Sequence, residues 1–121
     1  GLSADVRDFA AIRGALETAS DRFGAFDIVV AGAAGNFLAP ALGMSANAFK
    51  TVVDIDLLGT FNTFRACHDL LNKPASLIAI TAGQAEQAMA LQVHACAAKA
   101  RTRLPLPSRI SAPQRRATFM K

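Results

Sequence analysis

A short run of mostly β-branched residues constrains this chain more than any other feature. Residues 27–31, Asp-Ile-Val-Val-Ala, show no alternation of polar and apolar positions, which is typical of a strand buried on both faces in a parallel sheet. Small residues follow at 32–36, Gly-Ala-Ala-Gly-Asn. In open α/β sheets, ligands bind at the carboxyl ends of the strands, where an uncluttered backbone can approach them. The run therefore predicts an α/β domain with a ligand site after this strand.

The flanking segments supply the other elements of such a domain. Apolar periodicity predicts helices over residues 6–23, 45–71 and 92–102, a turn over 72–75 and a second buried strand over 76–81. Gly24 is placed to end the first helix and Ser45 to begin the second. Gly59 interrupts the long helix, where we expect close packing or a bend. The order of elements predicts a partial, Rossmann-like doubly wound parallel sheet.

Charge divides the chain into two parts. Residues 101–121 contain six basic and no acidic residues, whereas residues 1–100 contain seven basic and nine acidic ones, a net charge of −2. The overall charge of +4 therefore belongs to the tail and does not indicate nucleic-acid binding. Pro105, Pro107 and Pro113 cannot continue a helix. We predict one domain over residues 1–100 and an irregular Arg- and Pro-rich tail over 101–121, for which a basic arm binding an acidic surface is the alternative.

Several other classes of protein are disfavoured. Cys67 and Cys96 have no metal-ligand spacing, so we expect free buried thiols and no metal site. The apolar stretch at residues 28–44 is broken by Asn36, Pro40 and three glycines, which argues against a membrane span. Neither a signal peptide nor a peroxisomal C-terminal signal is visible, and we predict a cytoplasmic protein.

Three segments resemble the short-chain dehydrogenase/reductase family, and within it most resemble the 2,4-dienoyl-CoA reductase branch. They are residues 26–40, 49–62 and 92–100, and they include the Ala-Ala-Gly-Asn-Phe loop at 33–37 and the Asp-Ile-Asp segment at 54–56 that mark this branch. The resemblance covers about residues 5–100. It implies a partial NAD(P)-binding domain, a nicotinamide cofactor with NADP(H) favoured over NAD(H), and a 2,4-dienoyl-CoA or similar unsaturated acyl-CoA as substrate.

The family's catalytic pattern, Ser-x12-Tyr-x3-Lys, is only partly present. Lys99 matches the lysine, but Ala82 and Ala95 stand at the serine and tyrosine positions. The resemblance implies that Asp56, at the position of the family's catalytic asparagine, works with Lys99 to hold a water that protonates the substrate. Asp54 lies about 200° from Asp56 around a helix, so we expect it to be solvated.

The two histidines have weaker claims to a role. His94 stands one residue before the missing tyrosine, and one residue turns a helical side chain by about 100°. We therefore expect it to have a structural or supporting role rather than to act as acid or base. His68 lies on the outer part of the long helix and is expected to be solvated.

The resemblance also assigns cofactor and substrate positions. Asp5 and Val6 match the pair whose carboxylate accepts a hydrogen bond from the adenine amino group, although Asp5 could equally cap the first helix. Ala31, Gly32 and Ala33 belong to the segment that matches the Asn-Asn-Ala-Gly motif on the adenosine side of the cofactor, with both asparagines replaced. The branch-specific residues, Asn36 and Phe37, lie at the mouth of the site and either touch the substrate or close the loop.

The chain contains no Thr-Gly-x3-Gly-x-Gly turn, and its tail does not match the family's later strands. We therefore expect a fragment that is inactive alone, with an open edge on each predicted strand and bare apolar faces. In the family, the helices that correspond to residues 45–71 and 92–102 form the subunit interface, which implies a homo-oligomer. An inactive chain that acts only through these helices is the alternative.

Overall fold

This computed structural model describes residues 1–101 and 118–120. Its helices are α1 (Phe9–Phe23), α2 (Ala46–Val53), α3 (Gly59–Cys67) and α4 (Val93–Arg101), and its strands are β1 (Phe26–Ala31), β2 (Leu71–Ile80) and β3 (Thr118–Met120). A π-helical segment, Asp54–Leu58, joins α2 to α3, and single 3-10 turns lie at Ala41–Gly43, His68–Leu70 and Gly83–Ala85. No helix in this part of the chain is long and apolar enough to cross a membrane.

The described strands form one parallel sheet in the order β1-β2-β3. Val30 of β1 lies opposite Ile78 of β2, which lies opposite Thr118 of β3. This confirms the predicted parallel α/β architecture. The expectation that the second strand has an open edge is wrong, because β3 pairs with the backbone groups that an edge strand would leave unpaired. Within the described residues, β1 has a neighbour on one side only.

The tail differs from expectation at its described residues. Residues 102–117 and 121, which include the three prolines, lie outside the part of the chain that the structure describes. The prediction that they are irregular therefore stays a prediction. Thr118–Met120 instead forms the third strand of the sheet.

The beginning of β2 also differs from expectation. Residues 72–75 were predicted as a turn, but the strand runs through them. Phe26 pairs with Leu71 and Ile28 with Ser76, so residues 72–75 form an irregularity opposite Asp27. The Asn72 side-chain amide donates to Ala25 O at 3.1 Å and to Asp27 Oδ1 at 2.8 Å. The turn prediction is therefore wrong, and hydrogen bonds from Asn72 to the β1 side support the extended path.

Helices cover only one face of the described sheet. Ala31 and Ala79 form a buried cluster with Phe64 of α3, and α1 in turn packs against α3. On the opposite face of β1, Ile28 is 63% and Val30 53% exposed. The prediction that this strand is buried on both faces is wrong for the described residues, since nothing among them covers the second face. The expected bare apolar surface is present there.

Local capping follows the sequence closely. Gly24 has a φ of +86° and its N–H donates to Ser20 O at 2.8 Å, which is a conformation that favours glycine. Ser45 Oγ accepts from Ala48 N at 3.1 Å, as predicted. The N-cap of α1 is Asp8, whose carboxylate accepts from Ala11 N at 3.0 Å. The alternative role for Asp5 as this cap is therefore wrong, because the helix begins later than predicted.

Candidate functional site

The structure brings Asp56 and Lys99 together from two helical segments. Lys99 Nζ of α4 lies 3.2 Å from Asp56 Oδ2, and the residues are 7% and 1% exposed, respectively. Burying two charges costs free energy that their mutual attraction recovers only in good geometry, so a buried ion pair is weak evidence of stabilisation. Buried titratable groups of this kind are instead frequent at functional sites.

The loop after β1 supplies a further contact to this ion pair. Gly35 N donates to Asp56 Oδ1 at 2.7 Å, so the two carboxylate oxygens bind different partners. A backbone amide and an ammonium group together fix both the position and the orientation of the carboxylate. The small-residue loop therefore donates a hydrogen bond to the site. Its composition predicts only that a ligand can approach its backbone closely.

Asp56 lies within the π-helical segment Asp54–Leu58. Single π-helical turns inside α-helices are rare and occur frequently at functional sites. Asp54, two residues away, instead pairs with the exposed Lys50 on the outside of the molecule. The structure thus confirms that the two aspartates face different ways, but Asp54 is only partly solvated, since its side chain is 23% exposed.

Three contacts join residues 36–39 of the loop after β1 to residues 91–94, at the beginning of α4. Asn36 Nδ2 donates to Gln92 Oε1 at 2.6 Å, and Ala39 N donates to Leu91 O at 3.0 Å. The rings of Phe37 and His94 stack with their centroids 4.3 Å apart and their planes 20° apart. Asn36 and Phe37, which the resemblance placed at the mouth, therefore both bind this second segment.

His94 is completely buried. Among the described residues, neither of its ring nitrogens has a hydrogen-bond partner. Its observed contact is the face of its ring against Phe37, in agreement with the predicted structural role. His68 is exposed, also as predicted.

Hydrogen bonds and close packing fix the position of the segment around Asp5. Both oxygens of the Asp5 carboxylate accept hydrogen bonds from the Arg7 guanidinium, and these bonds lower the pKa of Asp5 to about 2. Asn62 Nδ2 donates to Val6 O at 2.9 Å. A Cβ on Gly59 would lie 2.6 Å from Val6 Cγ2, so the predicted close packing at Gly59 is confirmed and its partner is Val6.

Residues suited to a nicotinamide cofactor are present, although they make up only part of a complete site. Ala31 ends β1, and Gly32 and Ala33 lie exposed beyond its carboxyl end, where a ligand can approach the backbone. An ammonium group has three donors, and Lys99 has one polar partner, Asp56, among the contacts described. The remaining donors can serve ribose hydroxyl groups, so the donor set fits the cofactor.

The cysteines and possible metal ligands add no second site in the described residues. Both cysteines are free. Cys67 is buried as predicted, and burial raises the pKa of its thiol to about 11. Cys96 is only half-buried, which differs from expectation. In residues 1–101 and 118–120, no three His, Cys, Asp or Glu side chains lie close enough together to hold a metal ion.

Sequence reasoning missed three residues of this site. The Gly35 amide could not be found from the sequence, because every residue except proline carries such a donor. Gln92 and Asn62 have side-chain amides within the segments that suggested the family. Each of them makes a contact far along the chain, with Asn36 and Val6 respectively, and no local pattern predicts such a contact.

Comparison with known proteins gives a consistent picture. The family model described as enoyl-(acyl carrier protein) reductase matches residues 2–104. The peroxisomal 2,4-dienoyl-CoA reductase [(3E)-enoyl-CoA-producing] of Rattus norvegicus is 48% identical over 101 residues, which are 82% of this chain and 35% of that protein. The chain thus spans about a third of the length of the curated relatives that it matches.

Solved structures agree with the sequence comparison. A short-chain dehydrogenase from Bacillus anthracis is 33% identical, with a TM-score of 0.76 over 82% of this chain and 42% of that one. A gluconate 5-dehydrogenase from Burkholderia cenocepacia in complex with NADP and tartrate is 26% identical, with a TM-score of 0.74 over 79% of this chain and 38% of that one. The sequence match, the parallel fold and the likeness to these structures together show that the chain belongs to the short-chain dehydrogenase/reductase family of oxidoreductases.

Proposed function

We propose that this chain belongs to an NADP(H)-dependent reductase that acts on a 2,4-dienoyl-CoA, with Asp56 and Lys99 at its reactive centre. The observation that carries the proposal is the buried contact of 3.2 Å between these two side chains. Alanines occupy the positions of the family's serine and tyrosine, and an alanine has no proton to transfer. The similarity to peroxisomal 2,4-dienoyl-CoA reductases supports the choice of substrate.

The pair can position a proton source for this reaction. Each oxygen of Asp56 accepts one described contact and retains capacity for another. A water bound to Asp56 and Lys99 would deliver a proton to a substrate carbon, and the Lys99 ammonium would stabilise the hydroxide left behind until solvent reprotonates it. A bound reduced nicotinamide would supply the hydride. One hydride and one proton added to a conjugated diene leave a single carbon–carbon double bond. This balance matches the (3E)-enoyl-CoA product in the name of the similar rat protein.

The other residues of the site have supporting roles in this proposal. Lys99 binds the nicotinamide ribose, and residues 31–33 lie against the adenosine side of the cofactor. Asp5 accepts from the adenine amino group in place of one of the hydrogen bonds that it accepts from Arg7 in the free chain. Asn36 and Phe37 lie beside the acyl group of the substrate. NADP(H) is proposed over NAD(H) because the resemblance to this family branch implies it.

Cofactor titration tests the proposal. Nicotinamide fluorescence is followed as NADPH is added to the 121-residue chain up to millimolar concentration, and then again with NADH. We expect weak saturable binding with NADPH preferred, because the chain lacks the glycine-rich turn that holds the pyrophosphate. An absence of binding at millimolar NADPH would contradict the assignment of a cofactor site to this chain.

Dependence on Asp56 is the second part of the test. Turnover of 2,4-dienoyl-CoA with NADPH is measured in a complete relative whose corresponding segment is replaced by residues 5–100 of this chain, while the 121-residue chain alone is expected to be inactive. In that chimera, Asp56→Asn removes a carboxylate and is expected to abolish turnover. Asp54→Asn, two residues away and facing outward, serves as the matched control and should retain it. Equal activity of the two variants would contradict the assignment.

Association through helices is a second candidate function, favoured by exposed apolar residues on the long helical unit. Leu58 and Phe61 are both exposed, although they lie in the middle of the segment from α2 to α3. We propose that this face, with α4, contacts a second copy of the chain or a complete relative. Co-expression with a complete reductase followed by pull-down tests it. Phe61→Asp should abolish co-purification and Phe23→Asp, on α1, should not, whereas an absence of co-purification with the unmodified chain would refute the proposal.

The location of the protein remains a prediction. We propose a cytoplasmic protein, whereas the similar rat enzyme is named as peroxisomal. Microscopy of the tagged chain, with a peroxisomal marker in the same cells, distinguishes the two compartments.

A further inference from the structure

Two separate connections link the loop after β1 to helix α4. The first runs from Gly35 N to Asp56 Oδ1 at 2.7 Å and from Asp56 Oδ2 to Lys99 Nζ at 3.2 Å. The second is the stack of Phe37 on His94, whose ring centroids are 4.3 Å apart. Gly35 and Phe37 are two residues apart in the loop, and His94 and Lys99 belong to the same helix. The two connections therefore form a closed ring of contacts, and the buried ion pair is one of its members.

We propose that His94 is a positioning residue that holds Asp56 in place through the face of its ring. By fixing Phe37, the imidazole keeps the loop at the distance from α4 at which the Gly35 amide binds the carboxylate. The proposal builds on the proposed function only in taking Asp56 and Lys99 as the reactive pair. Its geometry can be tested without substrate or cofactor.

The burial and contacts of His94 support action through the ring face. The side chain is completely buried, and neither nitrogen has a partner among the residues described. Leaving such polar atoms unpaired is unfavourable, whereas flat contact between aromatic rings is favourable and depends on ring shape. A phenyl ring of similar size should therefore replace the imidazole without moving the loop.

Two further hydrogen bonds hold the loop, and a third holds the Gln92 side chain that one of them uses. Gln92 Oε1 accepts from Asn36 Nδ2 at 2.6 Å and from Gln84 Nε2 at 3.1 Å. Leu91, whose carbonyl accepts from Ala39 N, has a φ of +63°, a conformation that is uncommon for a residue other than glycine. These contacts anchor the loop on both sides of Phe37, and the proposal requires that they do not hold Gly35 in place without the ring stack.

The test measures the Gly35 amide in the full chain by NMR. Its hydrogen-exchange protection is expressed relative to the amides of β1, so that a change in global stability cancels. His94→Ala removes the stacked ring and should lower this relative protection about tenfold, the effect of losing a hydrogen bond to a charged group. The amide proton resonance should also move upfield as its carboxylate acceptor is lost. His94→Phe should restore both values.

A substitution at Phe37 removes the same ring stack from its exposed side and leaves the buried His94 unchanged. Phe37→Ala should reproduce the effect of His94→Ala. Phe9→Ala is the matched control, because Phe9 and Phe37 are both 39% exposed and Phe9 lies on α1. Unchanged Gly35 protection in Phe37→Ala would overturn the proposal. Failure of His94→Phe to restore the bond would also overturn it, because the ring nitrogens would then be what matters.

Discussion

Two aspartates separated by one residue form ion pairs in opposite environments. Asp54 pairs with Lys50, one helical turn earlier, and the Lys50 side chain is 69% exposed. Asp56 pairs with Lys99 from a distant helix, and both are buried. The outer pair is local and its lysine is largely exposed, so it contributes little to stability. The inner pair carries a desolvation cost that a stability role alone does not explain, and this contrast identifies it as the candidate reactive centre.

The largest expected effect comes from breaking the inner pair. Lys99→Met leaves the Asp56 carboxylate buried without its cation and should lower the free energy of unfolding by about 3–5 kcal/mol. Lys50→Met is the matched control and should change it by no more than about 0.5 kcal/mol. Urea denaturation followed by circular dichroism measures both. Similar losses for the two variants would remove the distinction between inner and outer pairs.

A smaller loss of stability is expected from a substitution at Gly59, which follows the π-helical segment. In Gly59→Ala the new methyl group would lie 2.6 Å from Val6 Cγ2, and overpacking of this kind costs about 1–3 kcal/mol. Gly14→Ala, in α1 with open space around the added carbon, should instead stabilise the protein slightly. Thermal unfolding of the two variants gives the comparison. A Gly59→Ala protein as stable as the parent would show that Val6 can move away.

The smallest effect concerns the exposed Asp5–Arg7 pair, a second outer pair. The Arg7 guanidinium holds the pKa of Asp5 at about 2, below its ordinary value of 3.8. A lowered folded-state pKa stabilises the protein above the ordinary value, and this contribution is lost as pH falls from about 4 through the folded-state pKa of about 2. Asp5→Asn should therefore lower the unfolding temperature slightly at pH 7 and leave it unchanged near pH 1, below both pKa values. A difference that persists near pH 1 would assign Asp5 another stabilising contact.

Much of the site could be predicted because its residues lie on regular elements. The orientation of Asp56 relative to Asp54 follows from helical geometry, and Lys99 occupies a family position on a helix. The Gly35 amide and the π-helical segment could not be predicted, since every such loop has amide donors and a five-residue segment is too short to change the apolar period. The pairing of β3 with β2 brings together residues about 40 apart in sequence, and no local pattern specifies that contact.

The central claim is that the inner pair and the loop after β1 form one cofactor site. Titration of the isotope-labelled chain with NADPH, followed by NMR of its backbone amides, tests this directly. The account predicts saturable shifts at Gly32, Ala33, Gly35 and the α4 amides near Lys99, with Lys50 unaffected. Saturable shifts confined to other regions, or none at millimolar NADPH, would contradict it.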